Sequence, residues 1–161
     1  MGKIMAYEKL YEVFWDGPYD CDKENVCAKD PGNVLYQIYG SHHLYGRDVL
    51  LYIGRTGRTP FKRILEHEEW IQDEYDKMTV RYGSIREFDG WKNWENRKKP
   101  YRPTEDSVVD KVEALLIYAN QPAYNSRNKA DATIAEGIRI FNSGKLGHLL
   151  PEISYKYFLG E

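Results

Sequence analysis

Residues in this sequence whose types could do chemistry include the carboxylate Glu113, the pair Arg63 and His67, the tyrosines Tyr36 and Tyr52, and the adjacent His42 and His43. A carboxylate offers oxygen to a hard cation, a guanidinium stabilises anionic oxygens, and phenol and imidazole groups move protons. Glu113 stands among Val109, Val112, Leu115 and Leu116. A carboxylate at the edge of an apolar helical stripe is costly unless something pairs with it. The ordinary reading of such a glutamate is a core-edge residue satisfied by Lys or Arg. Arg63 and His67 are four apart, one helical turn above each other, and a plain surface pair has the same spacing. His42 and His43 are adjacent in a polar stretch, with no third metal ligand nearby in sequence. Taken singly, none of these specifies an enzyme.

The elements that must position them read as follows. Residues 34–39 and 49–53 are β-branched and aromatic, which favours two strands joined as a hairpin by a long polar loop. With a side-chain period of two, Val34, Tyr36 and Ile38 share one face, and Leu50 and Tyr52 share one face of the partner strand. Thr59-Pro60 starts a helix running to about Lys77, with Phe61, Ile64, Leu65 and Ile71 as its buried stripe. Residues 78–88 return to strand character, and residues 89–103 read as an aromatic, basic loop. Thr104 caps a second helix with Glu105 and Asp106 in its first turn, and this helix stops before Pro122. Residues 1–32, punctuated by Gly17-Pro18 and Pro31-Gly32, read as a strand or short helix followed by loop. Residues 126–161 carry weaker signals, and no repeat or low-complexity tract is present.

Composition bounds the rest. At 161 residues, 42% hydrophobic and 30% charged, the chain fits a single domain spanning 1–161. No stretch has the length of a membrane span, and the first thirty residues lack a basic start followed by an apolar run, which predicts a cytoplasmic protein. Cys21 and Cys27 read as free thiols, with a local disulfide as the lesser alternative and no second pair to make a zinc site. A net charge of −2 gives no general nucleic-acid signature, yet charge is unevenly placed. Residues 66–76 carry six acids and no Lys or Arg, whereas residues 92–102 carry Lys92, Arg97, Lys98, Lys99 and Arg102 against Glu95. The second run is a candidate phosphate-tracking patch, with a solvated loop as the equal alternative.

Order and spacing add more than any single residue. Asn33-Val34-Leu35-Tyr36-Gln37-Ile38, then Leu51-Tyr52-Ile53-Gly54, then Arg63 with His67, resemble the opening motifs of the GIY-YIG nuclease family. Val112-Glu113-Ala114-Leu115-Leu116-Ile117 and Pro122-Ala123-Tyr124-Asn125 are similar to its closing Glu and Asn motifs. The resemblance covers residues 33–126, leaving 1–32 and 127–161 as extensions. Tyr-Ile-Gly is literal, whereas the first motif lacks its glycine. Tyr39, in Ile38-Tyr39-Gly40, is the alternative motif tyrosine, and Arg55 and Arg58 compete with Arg63.

The resemblance implies an α+β fold, a small three-stranded antiparallel sheet flanked by helices. It implies hydrolysis of a DNA phosphodiester with one divalent cation, Mg²⁺ or Mn²⁺, bound through Glu113. Arg63 would stabilise charge at phosphorus, and Tyr36 would act as general base with Tyr52 and His67 orienting it or relaying the proton. Asn125 would fix the geometry. Arg55, Arg58, Lys98 and Lys99 are the expected nucleic-acid contacts, and recognition would fall to loops, chain ends or a homodimer. A non-catalytic binding module and an RNA-directed nuclease are the alternatives.

Overall fold

The computed structural model describes residues 7–20, 35–55, 78–88, 90–91 and 105–159. The expected helix over residues 59–77 and the basic loop over 92–102 lie outside them, as do Arg58, Arg63, His67, Lys98, Lys99 and Thr104.

Six strands form one curled, half-barrel sheet: β1 (Lys9–Asp20), β2 (Leu35–His42), β3 (Gly46–Arg55), β4 (Thr79–Glu87), β5 (Ile138–Gly144) and β6 (Glu152–Ser154). Their order across the sheet is β3-β2-β4-β1-β5-β6. Every pairing is antiparallel except β1 with β5, which is parallel. Among the described residues the sheet is joined by one α-helix, α1 (Asp106–Asn120), and by two short 3-10 turns. This corrects the expected small three-stranded sheet flanked by helices. The anticipated hairpin and third strand exist as β3-β2-β4, but the segments taken as extensions supply β1, β5 and β6, the other half of the sheet.

β1 is a strand because Tyr11, Val13 and Trp15 alternate onto the side that α1 covers. Gly17-Pro18 does not end it. The pairing with β4 shifts register between Asp16 and Tyr19, a bulge that accommodates a residue with no N–H to give. On the same side lie Leu35, Ile53, Ile85 and Ile140, packed with Val109, Val112, Leu115 and Leu116 of α1. α1 forms because its apolar residues recur at helical spacing. It ends at Gln121, whose left-handed backbone returns an N–H to the Ile117 carbonyl, directly before Pro122.

The opposite side of β2, β3 and β4 carries a second cluster: Tyr36, Ile38, Leu51, Met78, Val80 and Tyr82. Farther along that side, the buried Glu12 carboxylate receives Arg86 Nε at 2.5 Å and Ser143 Oγ at 2.7 Å, which joins β4, β1 and β5. A buried carboxylate persists only with such partners.

One expectation about parity fails in detail. Ile38 pairs with Tyr52 but Tyr39 pairs with Leu50, so Leu51 is an extra residue in β3. The bulge turns Leu50 to the α1 side while Tyr52 packs with Tyr36's cluster; the two do not share a face.

Candidate active site

Among the described residues β3 is an end strand of the sheet, and residues 123–125 cover its outward row of backbone groups. Ala123 N–H donates to Leu50 O at 3.1 Å and Tyr124 N–H to Leu51 O at 2.8 Å. Asn125 completes the row with its side chain. Its Oδ1 accepts from Ile53 N–H and its Nδ2 donates to Ile53 O, both at 2.9 Å. The primary amide thus imitates the peptide group of a neighbouring strand. Asn125 is buried, and its role is to hold the chain after α1 against β3.

Between that clamp and α1 lies a cavity of about 770 Å³. α1 contributes Asp110, Glu113, Ala114 and Ile117, residues three and four apart on one helical face. β3 contributes Tyr52 and Arg55, and Tyr124, Ser126, Arg127 and Asn128 form the rim. The size is that of an ordinary small-ligand site. Three expected catalytic residues, Tyr52, Glu113 and Asn125, therefore meet here, together with Arg55, an expected nucleic-acid contact.

Tyr36 sits deeper. It is fully buried and stacks on Tyr52, ring centroids 6.0 Å apart and 26° from parallel. The two tyrosines share a side as expected, but only Tyr52 reaches the cavity. Gly54 makes that packing possible. A Cβ there would fall 2.5 Å from Tyr36 Oη and 2.8 Å from a Tyr52 ring carbon. The glycine of the Tyr-Ile-Gly motif thus has a steric reason.

The alternative tyrosine, Tyr39, is on the α1 side. Its hydroxyl donates to Gln37 Oε1 at 2.6 Å and accepts from His148 N–H at 2.9 Å. Burial pushes the phenol up, the His148 bond and the Arg81 guanidinium only partly opposing it, which is the wrong direction for a base. Arg55 is engaged as well: its NH1 lies 2.7 Å from Asp110 Oδ1 and donates to Asp106 O at 3.1 Å. It pins the end of β3 to α1 more than it offers a cation to a strand of DNA. Arg127 has no ion pair or hydrogen-bond partner among the described residues and is exposed at the rim.

Glu113 is half-buried in the cavity wall, with Asp110 one turn before it. The oxygen donors lining the cavity include two carboxylates, two phenols and a hydroxyl, of the kind a hard cation such as Mg²⁺ takes, beside the guanidinium groups of Arg55 and Arg127. Among the described residues no three His, Cys, Asp or Glu converge as a complete metal cage, so water and ligand oxygens would have to complete the shell. His42 and His43 likewise acquire no third ligand there.

Reading the sequence alone missed Asp110 and Arg127. Asp110 was open to discovery as the residue one turn before Glu113, whereas Arg127 had no local signal until Asn125 was seen to clamp β3. No protein-family model, curated protein or solved structure matches this chain.

Proposed function

We propose that the chain is a divalent-metal-dependent nuclease that hydrolyses phosphodiester bonds of DNA, as its motifs' resemblance to GIY-YIG nucleases suggests. The observation that carries the reading is the meeting of Tyr52, Glu113 and Asn125, from three distant motifs, around one cavity of ligand size. Glu113, with Asp110 beside it, would hold the cation, which supplies positive charge to a phosphoryl oxygen and to the attacking water. Tyr52 is the phenol placed to accept a proton from that water, with Tyr36 backing its ring. A phenol in this role must give up its own proton, and neighbouring cations favour that. Arg127 at the rim would contact a phosphate, and Arg55 keeps Asp110 and the end of β3 in place. Arg63 and His67 keep the roles the resemblance implies, charge stabilisation at phosphorus and proton relay.

The test is nicking of a supercoiled plasmid in a Mg²⁺ titration, with a structured RNA as a parallel substrate. Glu113→Gln should abolish nicking while binding persists. Tyr52→Phe should lower the single-turnover rate by about a hundredfold, the low end of what a positioned base contributes. Tyr36→Phe should be milder, because it removes an oxygen outside the cavity. Undiminished cutting by pure Glu113→Gln protein would sink the single-metal reading. Binding without turnover by the native protein would make the chain a non-catalytic module, and cleavage of RNA alone would replace DNA as the substrate.

A further inference from the structure

The turn between β2 and β3, residues 43–45, carries a feature that the proposed hydrolysis does not use. His42 closes the turn, and its Nδ1 accepts the N–H groups of Leu44 at 3.1 Å and Tyr45 at 3.3 Å. Those bonds fix the imidazole plane. His43 stacks on it with centroids 4.5 Å apart and 27° between planes; Tyr45 stacks on it at 4.5 Å and 20°. His43 and Tyr45 each stack on His42, giving a short ladder of rings centred on it. Tyr45 is 68% exposed and its neighbour Leu44 76%. The ladder adjoins the cavity, because His42 also lies 5.5 Å from the ring of Tyr124, which lines it.

We propose that this ladder is a stacking platform for an unpaired nucleobase, belonging to the strand whose phosphodiester enters the cavity. The inference rests on the nuclease reading and narrows it. A planar ring laid on the exposed Tyr45 extends the ladder, and the backbone bonds to His42 hold its central ring in place. Base–aromatic stacking is sequence-tolerant, since every base has a π-face. A base inside a regular duplex is already stacked on both sides and cannot reach Tyr45 without leaving its partner. The preferred substrate is therefore a single strand, a flap or a distorted duplex rather than regular double helix.

The experiment measures binding in EDTA, so that no turnover intervenes. The probes are a short single-stranded DNA carrying one 2-aminopurine, whose fluorescence is quenched by stacking, and the perfectly paired duplex of the same sequence. The native protein should bind the strand more tightly and quench it. Tyr45→Ala and Tyr45→Leu should each weaken strand binding about tenfold or more and remove the quench, while duplex binding stays unchanged. Tyr45→Phe should keep both. The Leu variant separates a planar stack from mere apolar contact, and exposure at a turn makes all three unlike core changes. Strand binding and quenching that survive in Tyr45→Ala overturn the platform, as does equal weakening for strand and duplex. If Glu113→Gln still abolishes nicking, the nuclease reading stands without it. A native protein that binds neither probe overturns both.

Discussion

Replacing Asn125 by Ala tests whether one side chain holds the cavity together. The change removes two hydrogen bonds of 2.9 Å and strands the N–H and C=O of Ile53, a residue with no exposed surface. A buried backbone group left without a partner costs roughly 1–3 kcal/mol. Two on the same residue, partly relieved by local relaxation, should cost about 2–4 kcal/mol in all. For a chain of this size, each 1 kcal/mol shifts the melting temperature by roughly 2–4 °C. Asn125→Ala should therefore melt about 5–15 °C below the native protein by far-UV circular dichroism. It should also lose nicking, because Tyr52 neighbours the freed segment.

Asn125→Asp supplies an internal control. At neutral pH the carboxylate still accepts from Ile53 N–H but faces the Ile53 carbonyl with no proton to donate. Protonated, it has one donor and one acceptor, as the amide does. Its folded pKa should be raised, so the stability it contributes is full at low pH and lost as pH rises through that value. Relative to Asn125→Ala, the Asp variant should gain stability on acidification. If Asn125→Ala melts within about 1 °C of native, or the Asp variant shows no such gain, the clamp is not what the geometry indicates.

Gly54→Ala places a methyl group within 2.5 Å of Tyr36 Oη, so it should destabilise the fold and depress nicking even with Glu113 and Tyr52 intact; a variant with native melting and rate would refute the close packing. Glu8 should contribute to acid sensitivity: burial raises its pKa, but hydrogen bonds from Ser154 and Arg139 outweigh that and hold it below the usual carboxylate range. That stability is present above the unfolded carboxylate's pKa and is lost as pH falls through the lowered value. Glu8→Gln should flatten the acid limb of the urea midpoint against pH, and an unchanged limb would show that the Glu8 contacts carry no such linkage.

What the sequence disclosed follows from how local each signal is. The β2–β3 hairpin, β4 and α1 are coded by short-range periodicity, and Glu113 and Asn125 sat in recognisable company. The other half of the sheet is not local. β1 pairs in parallel with β5, Lys9 beside Ile138, and nothing in either segment names the other. β6 has three residues, too few for a period to show. Gly17-Pro18 looked like loop punctuation because a bulge and a turn ask for the same residues. Parity placed Tyr36 and Tyr52 on one side, yet it is blind to depth. It was the resemblance that assigned the role of base to Tyr36, and only the structure separates a fully buried ring from one lining the cavity.

The position of the cavity follows from the sheet having an end. An uncovered end strand invites pairing with another chain, and, among the described residues, the segment 123–125 prevents this as far as Ile53. Among the described residues the amide of Asn125 takes the last of these backbone pairs, and a turn follows at 127–128, Asn128 in the left-handed region with φ 61°. Residues 126–128 line the cavity between β3 and α1, with Tyr52 contributed by β3 and Glu113 by α1. The clamp that protects the sheet and the cavity that could do chemistry are thus two consequences of one side chain. A continuous strand past Ile53 would close the edge and leave no room between Tyr52 and Glu113.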